Sequence, residues 1–405
     1  MRLFHISDLH IGRYLHNYSL LEEQKKVLDR ILRLCTEYRP DVMMIAGDIF
    51  DKSVPSGEAY TVFDHFLNEL SEKMPDMTTL IIAGNHDSAE RLRYASSFLE
   101  RHHIYISVLP PGNDSEHLKC ITLTDDFGKV NFYLLPFTKP VYVRGLFEDP
   151  SGITWSQAVE RILERETIDY SERNVILSHQ FYGTGEVLPE TCDSEQCTAS
   201  VGGSDMVSAD LLSGFEYAAL GHLHGAQKVV YSHVRYSGTP FPYSISEEHH
   251  RKSLVMVDLG AKGEDAEISL LPVESDRKVR TVRGNLADVL NDGWKNHEEQ
   301  EDESAGLMKK REKCRDYVSI VLTDDNDGLL TDARDRLEER YERILEIRVD
   351  NKRTRAQFTD TDDIQEGWSL PEAFNHLFAE MNQRDMNEQE AAVMQQIFEG
   401  MDEEG

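Results

Sequence analysis

The chain has 405 residues, too many for one ordinary domain, which sets an expectation of two or three. With 74 Asp and Glu against 43 Lys and Arg, its formal net charge of −31 argues against this chain wrapping nucleic acid by itself, because phosphate contacts need clustered basic side chains. Bound divalent cations or a basic partner subunit still leave a mode of DNA binding open.

The amino-terminal "RLFHIS" reads as a strand, followed by the helix-like "SLLEEQKKVLDRILRLCTEY", the strand "DVMMIAGD", the helix-like "SGEAYTVFDHFLNELSEKM" and the strand "TLIIAGN". The runs "KVNFYLLPF", "NVILSHQ", "EYAALGH", "VRYSGTP" and "KSLVMVDLG" come next, at closer spacing. Strands interleaved with helices imply a layered α/β core, and the later spacing adds antiparallel hairpins, so a mixed two-sheet sandwich flanked by helices is expected over residues 1–276. From 277 to 358 a small separate α/β domain is predicted. Its elements are the strand "KVRTVRG", a short helix around Leu286 and Leu290, the strand "YVSIVL", the helix "LLTDARDRLEERYERI" and the strand "LEIRVD". The charged stretch 295–313 inside it reads as a solvated loop or frayed helix. Residues 359–405 are predicted to form an acidic helical tail, with Phe374, Leu377, Phe378 and Met381, then Val393, Met394, Ile397 and Phe398, at helical spacing. Two such short amphipathic helices either pack on their own protein or wait for a partner.

The amino terminus "MRLFHISDLH" has no long apolar stretch, and runs such as Val42–Ala46 are far too short to span a bilayer, so a soluble cytoplasmic protein with no membrane association is expected. Five cysteines are few, odd in number and mostly isolated, which fits reduced thiols. Cys192 and Cys197, in "TCDSEQC", have no second pair to complete a tetrahedral metal site and read as an incidental loop pair.

Five segments repeat one design, an apolar strand followed at once by metal-capable side chains: "FHISDLH", "IAGDIFD", "IAGNHD", "ILSHQ" and "LGHLH". They carry Asp8 and His10, Asp48 and Asp51, Asn85, His86 and Asp87, His179, and His222 and His224. A single histidine after a strand is usually structural, but five such endings point to one site at the carboxyl edge of the sheets. Carboxylate, carboxamide and imidazole without thiolate suit borderline to hard divalent metals. Seven ligands are too many for one open catalytic ion, whereas a two-metal site with ions about 3.5 to 4 Å apart uses them with one carboxylate bridging.

In this order, "DLH", "GDIFD", "GNHD", "SHQ" and "GHLH" resemble the calcineurin-like metallophosphoesterase family over roughly the first 275 residues. Within it, "MRLFHISDLHIGRYLHNYSLLEEQ", "GDIFDKSVPS" and "GNHDSAERL" resemble the bacterial SbcD family of double-strand-break repair nuclease subunits. The resemblance implies an α/β fold of the α+β type, a four-layer β-sandwich flanked by helices, with the small α/β domain as a cap. It implies Asp8, His10 and His224 as ligands of a first metal, Asn85, His179 and His222 as ligands of a second, and Asp48 as the bridge. His86 resembles the catalytic histidine that meets the phosphate or the leaving oxygen, with Asp87 holding its imidazole; Asp51 sits where some relatives carry a second histidine. Manganese is the implied metal, with magnesium as a substitute.

The function implied is that of a subunit of an ATP-dependent DNA nuclease complex. It would act as an exonuclease on double-stranded ends and an endonuclease on single strands or hairpins, in DNA repair and recombination. Its partners would be DNA and an SbcC-like coiled-coil ATPase, in a two-plus-two heterotetramer that contains a homodimer of this chain, located in the cytoplasm at the nucleoid. The tail would dock on the base of the coiled coils. A phosphomonoesterase or phosphodiesterase for small substrates is the enzymatic alternative, and a metal-free scaffold would lack ligands that this chain has. Outside the motifs, His5 reads as a core or outer-shell histidine, His102, His103, His249 and His250 as surface residues, Arg91 and Arg93 as exposed helix arginines, and Tyr14 and His16 as lining the substrate approach.

Overall fold

The apolar runs of the sequence become the strands of two sheets in the computed structural model, which describes residues 1–185, 188–195, 205–295, 313–324 and 332–351 with a few single positions beyond. In chain order the elements are β1 (Arg2–Ile6), β2 (Tyr14–Leu15), β3 (Tyr18–Ser19), α1 (Leu21–Tyr38), β4 (Val42–Ala46), α2 (Gly57–Lys73), β5 (Thr78–Ile82), β6 (Ile104–Ser107), β7 (Lys119–Asp125), β8 (Gly128–Leu135), β9 (Arg173–His179), β10 (Tyr182–Gly183), β11 (Val207–Ser208), β12 (Tyr217–Gly221), β13 (Gln227–Val229), β14 (Tyr231–Tyr236), β15 (Ser253–Asp258) and β16 (Glu267–Pro272). The first sheet has the order β16-β15-β1-β4-β5-β6 and the second the order β13-β14-β12-β9-β8-β7. β1, β4, β5 and β6 run parallel, with β15 and β16 added antiparallel at one side. β8, β9, β12 and β14 also run parallel, between antiparallel edges β7 and β13.

Both faces of both sheets are covered, which is why their central strands are continuous apolar runs and not alternating ones. Leu3, Met44, Leu80 and Ile82 of the first sheet meet Phe132, Leu134, Leu177 and Ala219 of the second, all fully buried. Alternate residues of the first sheet, Phe4, Ile45 and Ile81, face outwards onto Ile31 and Leu32 of α1 and Phe66 and Leu70 of α2. The second sheet buries Leu135, Ile176, Ala218 and Leu220 against Ala158, Val159 and Ile162 of the helix Trp155–Arg165. Helix, sheet, sheet and helix make four layers, the architecture expected of a metallophosphoesterase. Ser56 caps α2 by accepting the Ala59 N–H at 3.2 Å, so the helix starts where its capping serine predicts. His5 is a core histidine whose ring bridges the sheets, with Nδ1 2.9 Å from the Tyr217 hydroxyl and Nε2 3.2 Å from the Leu220 carbonyl oxygen. Burial pushes it down to about 3 and keeps it neutral.

After residue 276 the structure holds β17 (Val279–Gly284), the helix Leu286–Lys295, β18 (Cys314–Leu322), the helix Ala333–Glu338 and β19 (Tyr341–Val349), with the strands in that order in one sheet. The helix expected through "YERI" therefore ends at Glu338, and Tyr341–Val349 is a strand. The Arg and Glu residues around it favour a helix locally, but burial of Tyr341 and Leu345 and pairing in the sheet decide its form. The chain divides into two compact units, one of Met1–Thr281 with Gly306–Ser319 and Tyr341–Glu346, the other of Val282–Ala305 with Ile320–Arg340 and Ile347–Gly405. Residues 296–312 lie outside the described residues, as do Leu377, Met381, Val393, Ile397 and Phe398 of the tail. Among the described residues no helix is long and apolar enough to cross a membrane.

Arg173, at the start of β9, is a buried cation with a 2% exposed side chain. It pairs with Asp125 and donates to the carbonyls of Gly128 at 2.8 Å and Gly260 at 2.9 Å, so one guanidinium closes three chain crossings. Arg173→Met removes the buried partner of Asp125 and leaves those carbonyls unsatisfied, so urea unfolding should show a loss of roughly 3 kcal/mol. A loss below about 1 kcal/mol would mean the buried pair adds nothing net.

Candidate metal centre

The five strand endings meet at one edge of the sandwich. Asp8 and His10 follow β1, Asp48 and Asp51 follow β4, Asn85 to Asp87 follow β5, His179 ends β9, and His222 and His224 follow β12. Two of these loops are zipped together by the main chain: Asp8 N–H donates to Gly47 O, His10 N–H to Asp48 O and Ile11 N–H to Ile49 O, at 2.9 to 3.0 Å. The turns are tight enough that Asp8, His10, Asp48 and His222 adopt φ of 53°, 41°, 50° and 104°. Non-glycine residues there carry strain of about 1–3 kcal/mol each, held by the surrounding structure. Gly221 has a separate reason to be glycine: a Cβ there would lie 1.9 Å from Ala46 O and 2.7 Å from His179 Nδ1.

Asp8, His10, Asp48, His179 and His224 are each at most 2% exposed. Asp48 sits centrally, with Oδ2 3.3 Å from His179 Nε2 and 3.7 Å from His10 Nε2, while Oδ1 accepts the His86 N–H at 2.8 Å. The Asn85 carboxamide oxygen is 3.0 Å from His179 Nε2 and 3.1 Å from His222 Nδ1. The ring of His10 is 4.9 Å from that of His86 and 5.1 Å from that of His224, centroid to centroid. Three groups of ligand atoms, Asp8 with His10 and His224, His10 with Asp48 and His86, and Asp8 with Asp48 and His179, are compact enough to hold an ion.

Two observations test whether metals fit. Both ring nitrogens of His10 are buried with no hydrogen-bond partner, a state that coordination by an ion would resolve. The donor set is oxygen and imidazole nitrogen without thiolate, suited to hard and borderline divalent cations. Electrostatics agree. Burial holds His10 well below its usual value; burial reinforced by a charged His179 takes His222 down to about 3, and burial lowers His224, so three imidazoles present neutral lone pairs. Burial raises Asp8 to about 7 and, together with Asp48, raises Asp87 to about 6. For Asp48 and His179 burial opposes charge but their mutual attraction wins, so Asp48 falls below the carboxylate range and His179 rises to about 9. Without ions, the centre keeps one proton on His179 to balance Asp48.

Two roles expected around His86 change. Asp87 does not hold the imidazole: its carboxylate accepts the N–H groups of Ile49, Phe50 and Gly84 at 3.0 to 3.1 Å and so joins the Asp48 loop to the Asn85 loop. The His86 Nδ1–H goes instead to the main-chain carbonyl of Asp51 at 2.8 Å. The side chain of Asp51 pairs with Arg13 at 3.0 Å, so this residue serves His86 through its backbone. Arg13, Ser194, Glu195 and Glu247 were not singled out from the sequence. Arg13 also donates to Ser194 O at 3.0 Å, and the His224 N–H donates to the Glu195 carboxylate. These residues follow no strand, and in "TCDSEQC" the cysteines mask the serine and glutamate between them. Cys192 is a free thiol, and Cys197 lies outside the described residues.

The family described as calcineurin-like phosphoesterase matches residues 1–226, and the SbcD_C family, described as type 5 capsule protein repressor C-terminal domain, matches residues 276–382. The chain is 31% identical over 294 residues to the SbcD subunit of the SbcCD nuclease of Staphylococcus saprophyticus, covering 72% of this chain and 74% of that protein. It is 28% identical over 349 residues to the protein of the same name from Staphylococcus epidermidis, covering 86% and 85%. Among solved structures, a dimetal phosphatase from Danio rerio matches with a TM-score of 0.37 and 12% identity, over 68% of this chain and 96% of that one.

An ion entering the centre must displace the His179 proton, so binding at pH 7.5 should release about one proton. Below about 9 the proton competes, and apparent affinity for Mn2+ should rise roughly tenfold per pH unit towards that value. Titration calorimetry in buffers of different ionisation enthalpy reads both. An affinity flat between pH 7 and 9 would show that His179 carries no such proton.

Proposed function

This chain belongs to the calcineurin-like phosphoesterases and, within them, to the SbcD family of nuclease subunits, and on that footing we propose that it hydrolyses DNA phosphodiesters at a two-metal centre as part of an ATP-dependent nuclease complex. The observation that carries this reading is the placement of Asp48 between His10 and His179, with Asp8 and His224 on one side and Asn85 and His222 on the other. In this reading Asp8, His10, His224 and Asp48 hold one ion, and Asp48, Asn85, His179 and His222 hold the other, with Mn2+ preferred and Mg2+ as a substitute. When bound, the ions supply positive charge to the phosphate oxygens and acidify the attacking water.

The protein's own groups do the rest. His86 has its Nδ1–H fixed on the Asp51 carbonyl, which leaves Nε2 as the atom that faces the phosphate, and in its charged form it gives a proton there to a phosphate or leaving oxygen. Asp87 keeps that histidine in place by joining the two loops around it. The apolar walls of the strands exclude water from behind the ligands, which strengthens every charge interaction in the centre.

The names of the curated relatives place them in a complex of two kinds of subunit, and the partner proposed for this chain is a coiled-coil ATPase, in a two-plus-two assembly at the nucleoid. The net charge of −31 supports a division in which the partner supplies basic DNA-binding surface. Residues 277–358 would cap the cleft and residues 359–405 would dock on the partner.

The test is cleavage of a blunt, end-labelled DNA duplex in Mn2+, with and without the ATPase subunit and ATP, beside a small chromogenic phosphodiester. DNA cleavage that rises with the partner is expected; turnover of the small ester without any DNA cleavage would overturn the nuclease reading. His86→Gln should keep Mn2+ binding and lower DNA cleavage by about 10²- to 10⁴-fold, the usual contribution of a positioned proton donor. Unchanged cleavage would remove His86 from this role.

A further inference from the structure

Ser194 places its hydroxyl oxygen 2.6 Å from His224 Nδ1 and 2.6 Å from Glu247 Oε1. Glu247 is fully buried in the short turn Ile245–Glu247. Its other neighbours all donate: the Tyr243 N–H and the Ser244 hydroxyl at 3.1 Å on Oε1, and the Thr239 hydroxyl at 3.1 Å and the Lys252 ammonium on Oε2. A carboxylate among five donors is ionised, and an ionised carboxylate only accepts. Ser194 has one proton, so that proton points to Glu247. Its oxygen is then left to accept, and the group facing it is His224 Nδ1, which must carry a hydrogen. A neutral histidine with its hydrogen on Nδ1 has its lone pair on Nε2.

The hydroxyl does not drift from this position. Arg13 holds the Ser194 carbonyl at 3.0 Å, the Asp193 N–H donates to the Ser246 hydroxyl at 3.1 Å, and Glu195 accepts the His224 N–H. The ring is thus gripped at its backbone and at one nitrogen, with the other nitrogen on the side of His10, whose ring centroid is 5.1 Å away.

We infer that Ser194 and Glu247 are positioning residues of the metal centre: a carboxylate–hydroxyl relay that sets the tautomer and orientation of His224 and so offers Nε2 to the ion bound with Asp8 and His10. The inference rests on the metal-centre reading above and adds to it the proton order that makes His224 a ligand. It also assigns a task to the middle of "TCDSEQC", whose serine, not its cysteines, reaches the centre.

The experiment compares wild type, Ser194→Ala, Ser194→Thr and Glu247→Gln by Mn2+ titration calorimetry and by long-range ¹⁵N–¹H spectra of the histidines in metal-free protein. Wild type should show His224 with hydrogen on Nδ1 and bind two ions. Ser194→Ala should lose that tautomer preference and bind one of the two ions roughly 10- to 100-fold more weakly, as loss of groups behind metal ligands does. Ser194→Thr, which keeps the hydroxyl, should restore both. Glu247→Gln can turn an amide N–H towards Ser194, reverse the proton order and put the hydrogen on Nε2, giving the same weakening. Ser194→Ala protein with wild-type tautomer and wild-type affinity at both sites would overturn the relay. Wild-type protein that bound no Mn2+ would overturn the metal-centre reading along with it.

Discussion

Two carboxylates, Asp8 and Asp48, lie side by side at the ends of neighbouring parallel strands with almost no exposure to water, and the rest of the molecule is arranged around that fact. Charges of one sign in a dry pocket repel strongly and lose their hydration, so the pair is tolerable only with compensating positive charge. In the ion-free protein part of that compensation is a proton on His179 and part is the upward shift of Asp8 itself. The sandwich supplies the frame: two mostly parallel sheets bring the ends of β1, β4, β5, β9 and β12 to a single edge, where the side chains turn out of the core together. Ligand sites in open α/β sheets occur at such edges because only there does polar chemistry border a rigid apolar scaffold.

The same frame explains why the ligands need help from residues outside the motifs. Strand ends fix Cα positions but not the rotation of an imidazole or the location of its proton. Those are set by groups reaching in from elsewhere: the Ala46 carbonyl on His179 Nδ1 at 2.7 Å, the Asp51 carbonyl on His86, and Ser194 on His224. A metal site of this kind has an inner set that defines which ions fit and an outer set that makes each ligand present the right atom.

This division marks where the sequence was legible. Polar residues that directly follow apolar runs could be read as ligands, since no core would accept Asp8, Asp48 or His179 without a reason. The layers were legible from the same runs. Asp87 and Asp51 were read as side chains acting on the phosphate or on His86, because adjacency in sequence suggests a partner; the carboxylate of Asp87 instead meets main-chain donors 37 and 38 residues away. Glu247 was invisible for a related reason: in "ISEEHH" it looks like any acidic turn residue, and its burial depends on Lys252, Thr239 and Ser194 meeting it in space. The strand at Tyr341 to Ile344 was misread because its charged residues follow a helical pattern, while its sheet partners lie far off in sequence.

The absence of a side chain at Gly221 has an evolutionary corollary. Its α-carbon is wedged between Ala46 of one sheet and His179 of the other, so even one methyl group would act as a spacer between the sheets. The seam works as a calliper set to one gauge. Lineages descending from this scaffold can change what they cut by lengthening or recolouring the loops above the edge, but single substitutions at the seam cannot retune it, and novelty is channelled to the rim.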